Sequence, residues 1–328
     1  MNYEDEFKQF VNAYEKSGYV SNKLFSQKYA KLIVNESKVL SKGEVEGVSI
    51  KTMFKNGTLY AKITIKKGVK VKYPIHMCFG VLKERWNQKI HTTLILEEGA
   101  EAKMISHCFF PNSKNVFHIM KGNFILKNNS KLIYEEEHFH GKNGAIVKPH
   151  VKIKVGKNSS YVSTFKAKRG VIGKLDINYK LDVGEKGVAE LYTKVFGRKK
   201  DKIKIYEEVN LKGNNSRGIL QSRVAATENS QCNVKSVMRG LGNYSRGHVD
   251  CTEIIEENGV VSAIPIVEVK NKTAHITHEA SLGRVNKKQV DTLMTKGLTE
   301  EEAVEIIIRG LLRWLRSKVF PNIFADIE

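Results

Sequence analysis

The sequence predicts a mainly β protein whose core is a β-helix or a stacked β-sandwich, with helical segments at both ends. The first reason is a repeat in the middle of the chain, where a polar turn precedes each short β run. The second is that no helical pattern interrupts the repeats, and the third is that helical spacing is confined to the two ends. The repeats begin at Leu96, Leu126, Val155, Val183 and Leu211, which are 28 to 30 residues apart.

Each repeat is too small to bury its own apolar side chains, so successive repeats are expected to stack. Further copies near Ala226 and Leu241 follow at half the period. A mixed antiparallel sheet with evenly spaced turns is the alternative, whereas the signatures of propellers and leucine-rich repeats are missing. The turns expected to lie in register on one side are Glu98-Gly99, Asn128-Asn129, Lys157-Asn158, Glu185-Gly187 and Asn214-Asn215.

Residues 1–45 are predicted to be a helical segment, followed by a lead-in of short strands over 46–92 and the β-helix core over 93–280. Gly18 is expected to end a first helix, and Ser21 to cap a second one, so that helices extend to about residue 39. The apolar positions at helical spacing are Phe7, Phe10, Val11 and Tyr14 in the first helix, and Leu24, Phe25, Tyr29 and Leu32 in the second.

Residues 281–328 are predicted to be helical again. Asn286 and Gln289 have capping-box spacing ahead of one helix, and Gly297 is placed to end it. Thr299 and Glu302 form a second capping box before an amphipathic helix. That helix is expected to continue through Trp314 and Leu315 into a basic last turn of Arg313, Arg316 and Lys318.

Composition narrows the classes of function. The net charge is +20, but the basic residues are spread along the chain and no nucleic-acid motif occurs, so binding to nucleic acid is not favoured. No apolar run approaches the ~18 residues that a membrane-spanning helix needs, and the amino terminus lacks a signal-peptide pattern. Four widely spaced cysteines fit a reducing cytoplasm.

Enzyme motifs are not evident in the sequence. It contains no phosphate-binding GxxxxGK[ST], no dinucleotide GxGxxG and no GxSxG. We therefore expect no catalysis by this chain, and any ATP hydrolysis to come from a partner. A carbohydrate-active β-helix enzyme is one alternative, although it needs acidic residues clustered on successive repeats, and a purely structural solenoid is another.

Cys251 is the residue that we expect to carry the chemistry. It stands just before a strand-like run, and strand alternation places Cys251 and Glu253 on one face. His278 and Glu279 follow the next strand-like run. A thiolate, an imidazole and a carboxylate near the ends of paired strands suit sulfur or iron chemistry.

Two other groups are weaker candidates. His248 and Asp250 are close enough to Cys251 in sequence to tune its thiol pKa. Farther upstream, several histidine, cysteine and glutamate residues suggest a second metal site, although their spacing fits no known zinc pattern. This upstream group consists of Cys108, His138 and His140, with His107, His118, Glu136 and Glu137 beside them.

The carboxy-terminal half contains the runs "GHVDC", "AIPIVEV", "THEASLGRV", "KKQVDTLMTKGL" and "EEEAVEIIIRGLL". With these runs the chain resembles the SufB/SufD family, the scaffolds of the SUF iron–sulfur cluster assembly system, and in particular its minimal, archaeal-type members. The resemblance covers roughly residues 74–316. It implies that the core is a right-handed parallel β-helix.

The resemblance implies that iron and sulfide assemble on this chain into a transient cluster, [4Fe-4S] or [2Fe-2S], which then passes to acceptor proteins. Cys251 corresponds to the sulfur-accepting cysteine of the family, and His278 with Glu279 to its "HEA" position. Residues 297–312 correspond to the part that docks onto SufC, an ABC-type ATPase whose closure twists the scaffold and exposes the site. The docking candidates are Thr299, Glu302, Ala303, Ile307 and Leu311.

The number of ligands predicts an oligomer. A cluster usually has four protein ligands, and this chain offers one cysteine at the candidate site. A two-fold axis would supply two copies each of Cys251, His278 and Glu279. We therefore expect a homodimer, or a heterodimer of the SufB–SufD type, formed through the edge strands of the solenoid.

Overall fold

The structure is a computed structural model that describes residues 3–312. The chain divides after Gly283 into two compact units. The strands are β1 (Lys31–Asn35), β2 (Lys38–Gly43), β3 (Val48–Lys55), β4 (Thr58–Ile65), β5 (Ile75–Gly80), β6 (Arg85–Leu96), β7 (Glu101–Phe110), β8 (Asn115–Leu126), β9 (Lys131–His140), β10 (Ala145–Val155), β11 (Ser160–Arg169), β12 (Gly173–Val183), β13 (Val188–Gly197), β14 (Lys202–Leu211), β15 (Arg217–Ala226), β16 (Gln231–Gly240), β17 (Arg246–Ile255), β18 (Val260–Val269) and β19 (His275–Gly283). The helices are α1 (Tyr3–Lys16), α2 (Asn22–Phe25), α3 (Lys287–Met294) and α4 (Glu300–Leu311).

The first unit is a β-solenoid of about eight turns. From β5 onward the odd-numbered strands pair in parallel in one sheet, and the even-numbered strands from β4 onward pair in parallel in the other. Each turn of the solenoid therefore contributes one strand to each sheet. The two antiparallel pairs, β1 with β2 and β3 with β4, lie at the amino-terminal end. The prediction of a mainly β solenoid is confirmed.

The turns on one side of the solenoid stack as the sequence predicts. Backbone N–H groups donate from Gly99 to the carbonyl of Asn128, from Asn129 to Lys157 and from Asn158 to Glu185, over 3.0, 2.8 and 2.9 Å. Asn129 and Asn158 adopt left-handed backbone angles, with φ of 58° and 53°. Asparagine tolerates this region better than most residues, which explains its recurrence at the turns.

The half-period copies also have a structural explanation. Ala226 ends β15 and Leu241 follows β16, so these copies are turns on the two opposite sides of the solenoid. The turn after Ala226 is bonded to the preceding turn on its own side, because Asn229 N–H donates to the carbonyl of Lys199 over 2.8 Å. Both columns of turns are therefore held by the same kind of bond.

The amino-terminal segment is only partly helical, which corrects the prediction for residues 1–45. Helix α2 ends at Phe25, and β1 and β2 occupy residues that were expected to be helical, including Leu32. All five residues of β1 are buried, and β1 forms a parallel ladder with β5. A short continuous apolar run fits a buried strand as well as a helix. Here the segment is a strand because it pairs with β5.

The expected cap of the second helix is also absent. Ser21 has helical backbone angles and makes no side-chain cap hydrogen bond. Its hydroxyl is instead hydrogen-bonded to the Glu15 carboxylate. The core likewise begins earlier than residue 93, because β1 and the strands of the predicted lead-in already belong to the two sheets.

Helix α1 covers the outer face of the odd-numbered sheet near the amino-terminal end. Phe10 and Tyr14 pack edge-on against Phe109, with ring centroids 4.8 and 5.7 Å away. These residues form a hydrophobic cluster separate from the interior of the solenoid. The acidic first turn of α1 suits the positive end of the helix dipole.

The second unit contains α3 and α4. Asn286 caps α3 by accepting a hydrogen bond from Lys288 N–H, so the expected partnership with Gln289 is not the one formed. Thr299 and Glu302 form the predicted capping box of α4, and Gly297 has the left-handed φ of 92° that suits its predicted role. The continuation of α4 through Trp314 and Leu315 lies outside the described residues, as do Arg313, Arg316 and Lys318.

No helix between residues 3 and 312 is long and apolar enough to cross a membrane.

Candidate functional site

Cys251 lies in the interior of the solenoid, near its carboxy-terminal end. It belongs to β17 and is only 1% exposed. The parallel ladder aligns Thr193, Ser222, Cys251 and Ala280 across β13, β15, β17 and β19. Residues aligned in this way place their side chains on the same face of the sheet. The thiol therefore faces the interior rather than the surface.

The second sheet brings polar groups to the same region. Its ladder aligns Glu207 with Ser236, and the Cys251 Sγ lies 3.9 Å from the Ser236 Oγ. We call this group the polar row. It consists of Glu207 and Ser236 from one sheet and Thr193, Ser222 and Cys251 from the other. It lies in the interior, away from water, so its members must form hydrogen bonds with one another.

Burial controls the protonation of the thiol. It raises the pKa of Cys251, and the nearby carboxyl of Glu253 adds to the increase, while hydrogen bonds with Ser222 and Ser236 oppose it. The thiol is therefore protonated in the closed protein at neutral pH. A protonated thiol is a poor nucleophile and a poor ligand, so reaction requires a metal, a base or exposure to water.

Glu253 lies beside Cys251 on the same inner face, as strand alternation predicts. It is 1% exposed, and its Oε1 accepts a hydrogen bond from the Ser222 hydroxyl over 3.1 Å. Its Oε2 has no hydrogen-bond partner among residues 3–312. Burial raises its pKa to about 7. A carboxyl with a free oxygen and this pKa can accept or release a proton next to the thiol.

His278 and Glu279 lie on β19 and are exposed. The ladder pairs His278 with Val249, which shares the inner face with Cys251, whereas it pairs Glu279 with Asp250. His278 is therefore on the face of the thiol, two residues before Ala280, the residue that pairs with Cys251. Glu279 is on the opposite face, so a single chain does not bring all three candidates together.

His248 and Asp250 also lie on the outer face and do not reach the thiol, because strand alternation separates neighbouring residues. The Asp250 carboxylate pairs with Arg223 at 2.6 Å. Burial acts to raise the pKa of Asp250, but hydrogen bonds from Arg223 and Gln221 outweigh it and lower this pKa. The imidazole of His248 shares a hydrogen bond of 2.8 Å with the Thr277 hydroxyl.

Sequence reasoning missed the remaining members of the polar row. Glu207 is fully buried, and burial raises its pKa to about 7 although Thr193 donates a hydrogen bond to it. The signal was present in β14, where Glu207 occupies an inward position between Ile205 and Val209. A carboxyl in the inner face of such a strand indicates a buried polar site.

The solenoid ends in open strands next to the site. Among the described residues, β18 and β19 are the last strands of their sheets, each paired on one side only. Large apolar side chains are exposed there, with exposed fractions of 56% for Val260, 50% for Ile264 and 55% for Leu282. Unpaired strand edges with exposed apolar groups are surfaces that another chain can cover.

The upstream group divides between two faces of its sheet. Cys108, Glu136 and His138 are buried in the interior, and their ligand atoms lie within 4.8 Å of one another. His107 faces α1 instead, where its Nδ1 shares a hydrogen bond with the Tyr14 hydroxyl, and its ring stacks on Tyr19, just after α1, with centroids 4.1 Å apart. The outer residue Glu137 pairs with Arg169 at 3.2 Å, and the remaining inner residues of the group are His118 and His140.

The docking candidates of the second unit differ in exposure. Thr299 and Glu302 are engaged with each other in the capping box. Ala303 is fully buried, whereas Ile307 and Leu311 are half-buried. Ile306, which was not among the candidates, has an exposed fraction of 46%.

Comparison with known proteins identifies the family. The family described as "SUF system FeS cluster assembly, SufBD core domain" matches residues 82–311. An iron-sulfur cluster assembly SufBD family protein of Methanocaldococcus jannaschii is 40% identical over 313 residues, which cover 95% of this chain and 99% of the relative. One from Pyrococcus horikoshii is 36% identical over 312 residues, with 95% of each chain covered.

The iron-sulfur cluster assembly protein SufB of Bacillus subtilis is more distant. It is 24% identical over 262 residues, which cover 76% of this chain and 54% of the relative. Because the family description matches most of the chain, this protein belongs to the SufBD family. Membership implies a role in iron–sulfur cluster assembly and confirms the resemblance seen in the sequence.

Proposed function

We propose that this chain is a scaffold on which an iron–sulfur cluster is assembled at Cys251 and from which it passes to acceptor proteins. The observation that carries the proposal is the position of Cys251. Its thiol lies in a polar row inside the solenoid and close to the open end of both sheets. Beside it is the Glu253 carboxyl, whose Oε2 has no hydrogen-bond partner among residues 3–312. Soft thiolate ligands suit iron–sulfur clusters.

The cluster is the cargo of this protein, and Cys251 is its principal ligand in the proposal. His278 is the second ligand, because register places it on the same face as the thiol. Glu279 can contribute from a second copy or after rearrangement of the exposed strand β19. Glu253 accepts the thiol proton when the cysteine binds iron, since burial raises the pKa of this carboxyl to about 7.

A dimer completes the site in this proposal. The edges of β18 and β19 are unpaired among the described residues and carry exposed apolar side chains. A second copy, or a SufD-type partner, would cover these edges and bring two sets of ligands together. A SufC-like ATPase that docks on α4 would then supply the motion that opens the closed interior to iron and sulfide.

Anaerobic reconstitution with iron and sulfide tests the proposal. The wild-type protein should gain the visible absorption of an iron–sulfur cluster, and Cys251→Ser should remain folded but gain none. Cys232→Ser is the matched control, because Cys232 is equally buried in the same solenoid. Equal cluster absorption in wild type and Cys251→Ser would refute the site, and none in either would count against the scaffold itself. A carbohydrate-active enzyme or a structural solenoid would bind no cluster.

A further inference from the structure

We propose that the interior of the solenoid contains a second metal site, formed by Cys108, His118, Glu136 and His138, that binds one divalent transition-metal ion independently of Cys251. Three of the four donor residues already lie close together. The ligand atoms of Cys108, Glu136 and His138 lie within 4.8 Å of one another, and all three residues are at most 1% exposed.

His118 supplies the fourth donor, and its hydrogen bonds fix which nitrogen is free. The side-chain nitrogen of Gln88 donates to the backbone carbonyls of Glu36 and Gly80, so its Oε1 must act as the acceptor. That oxygen lies 2.6 Å from His118 Nδ1, which therefore carries the proton. The unprotonated Nε2 faces the Cys108 Sγ at 3.7 Å.

This arrangement resembles the support that metal-binding histidines usually have. A second residue commonly holds the far ring nitrogen of the ligand, which fixes its tautomer and orientation. Here Gln88 does so for His118, and the Tyr179 hydroxyl holds the Glu136 carboxyl by donating to Oε2 over 3.0 Å. Gln88 and Tyr179 are themselves buried. The donors are therefore held in place from outside the proposed site.

The present state of the donor groups is compatible with binding a cation. His138 Nδ1 has no hydrogen-bond partner among residues 3–312, although it is buried. Burial lowers the pKa of His118, so its imidazole is neutral and able to bind a metal. Burial also raises the pKa of the Cys108 thiol, and nearby Glu136 adds to the increase. A cation would displace the thiol proton as it binds Cys108.

The dimensions are compatible with a tetrahedral ion after small side-chain movements. Metal–ligand bonds of about 2.0–2.3 Å set neighbouring ligand atoms roughly 3.3–3.8 Å apart. The ligand atoms of Cys108, Glu136 and His138 lie within 4.8 Å of one another, so the longest of these separations needs to shrink by up to about 1 Å. One thiolate, two imidazoles and one carboxylate suit Zn²⁺ or Fe²⁺ rather than Mg²⁺ or Ca²⁺.

Cobalt substitution tests the site, with Co²⁺ as a coloured probe. The Cys251→Ser variant is used as the reference, so that the proposed cluster site contributes no thiolate. Production in cobalt-enriched medium lets the ion bind during folding, since the donors are closed off in the folded chain. We expect about one cobalt per chain, a thiolate-to-cobalt absorption band, and one sulfur ligand near 2.3 Å by X-ray absorption.

Second substitutions, added to the Cys251→Ser reference, identify the residues that bind the ion. Adding Cys108→Ser should abolish the thiolate band, whereas adding Cys232→Ser should leave it unchanged. Adding the near-isosteric change Glu136→Gln should keep the band but speed cobalt loss to a chelator about tenfold or more. Absence of cobalt or of a sulfur ligand in the reference would overturn the site, as would a band that survives Cys108→Ser. Because the reference lacks Cys251, neither result bears on cluster assembly there.

Discussion

Cys251 and Ser236 face each other across the interior of the solenoid, with Sγ and Oγ 3.9 Å apart, although they belong to strands of opposite sheets. The thiol is thus held between the sheets and protected from water. Its protection lowers its reactivity, because burial raises its pKa. For the proposed function this means that the cysteine should stay inert until the end of the solenoid opens.

Mixed dimers test whether the site is shared between two chains. Dimers that carry Cys251→Ser in only one subunit should lose most of the cluster absorption of the wild type, because one thiolate cannot replace two. His278→Ala in both subunits should weaken cluster retention less completely, since water or a carboxylate can take its place at iron. Two different affinity tags, one on each kind of subunit, isolate the mixed dimers. Dimers of two wild-type chains that carry the same two tags serve as the control. Full cluster binding by the Cys251→Ser mixed dimer would show that each chain works alone.

The pH dependence of stability should reveal Glu253. Because burial raises its folded-state pKa from the ordinary 4.5 to about 7, the folded state favours the neutral carboxyl. This contribution to stability is present below pH 4.5 and is lost as the pH rises through 7. Glu253→Gln should therefore match wild type near pH 5 but exceed its free energy of unfolding by about 2 kcal/mol near pH 8.

Urea denaturation at both pH values measures this difference. Glu257→Gln, at an exposed turn two residues after the end of β17, provides the control and should differ from wild type equally at both pH values. A Glu253→Gln effect that does not change with pH would mean that the folded-state pKa of Glu253 is not raised.

The stacked turns should tolerate only residues that accept left-handed angles. Asn158 has a φ of 53°, which β-branched side chains strongly disfavour. Asn158→Val should lower the free energy of unfolding by about 1–2 kcal/mol, whereas Asn158→Gly should stay close to wild type. Lys154→Val, at an exposed position of β10, is the control for adding valine. Equal losses for the two Asn158 variants would indicate that the side chain, not the backbone angle, matters there.

Helix α4 should carry the contact with a SufC-like ATPase. Ile307→Asp combined with Leu311→Asp places two charges on half-buried positions of its apolar stripe and should abolish co-purification with the ATPase. Met294→Asp adds a charge at an exposed apolar position of α3 and should not. Circular dichroism and thermal melting check that the helices persist. If the double variant unfolds, or if Met294→Asp also abolishes the contact, then α4 is not the specific docking surface.

Local patterns predicted local structure well. The Thr299–Glu302 capping box and the asparagine turns could be recognised because a few adjacent residues determine them. The helix expected through Leu32 was wrong, since β1 pairs with β5, whose residues lie about 45 positions farther along the chain. No pattern within residues 26–39 signals that partner.

The candidate site, too, could be predicted from the sequence only where neighbouring residues determine it. Sequence alternation placed Cys251 and Glu253 together, and the structure confirms their shared inner face. It could not show that Glu279 faces away from the thiol, because the faces of β19 depend on a register with β17 set by tertiary pairing. The approach of Ser236 from the other sheet was likewise invisible, since it depends on how the two sheets face each other.

The ladder of parallel strands also implies that local stability differs along the solenoid. An inner strand of either sheet bonds to the strand one turn earlier and to the strand one turn later, whereas β19, within the described part of the chain, bonds only to β17. Neighbouring turns of a solenoid stabilise one another, so the last turn lacks half of the support that an inner turn has. Cys251 lies one turn before this end. The strand next to the thiol is therefore expected to be among the first parts of the solenoid to open locally.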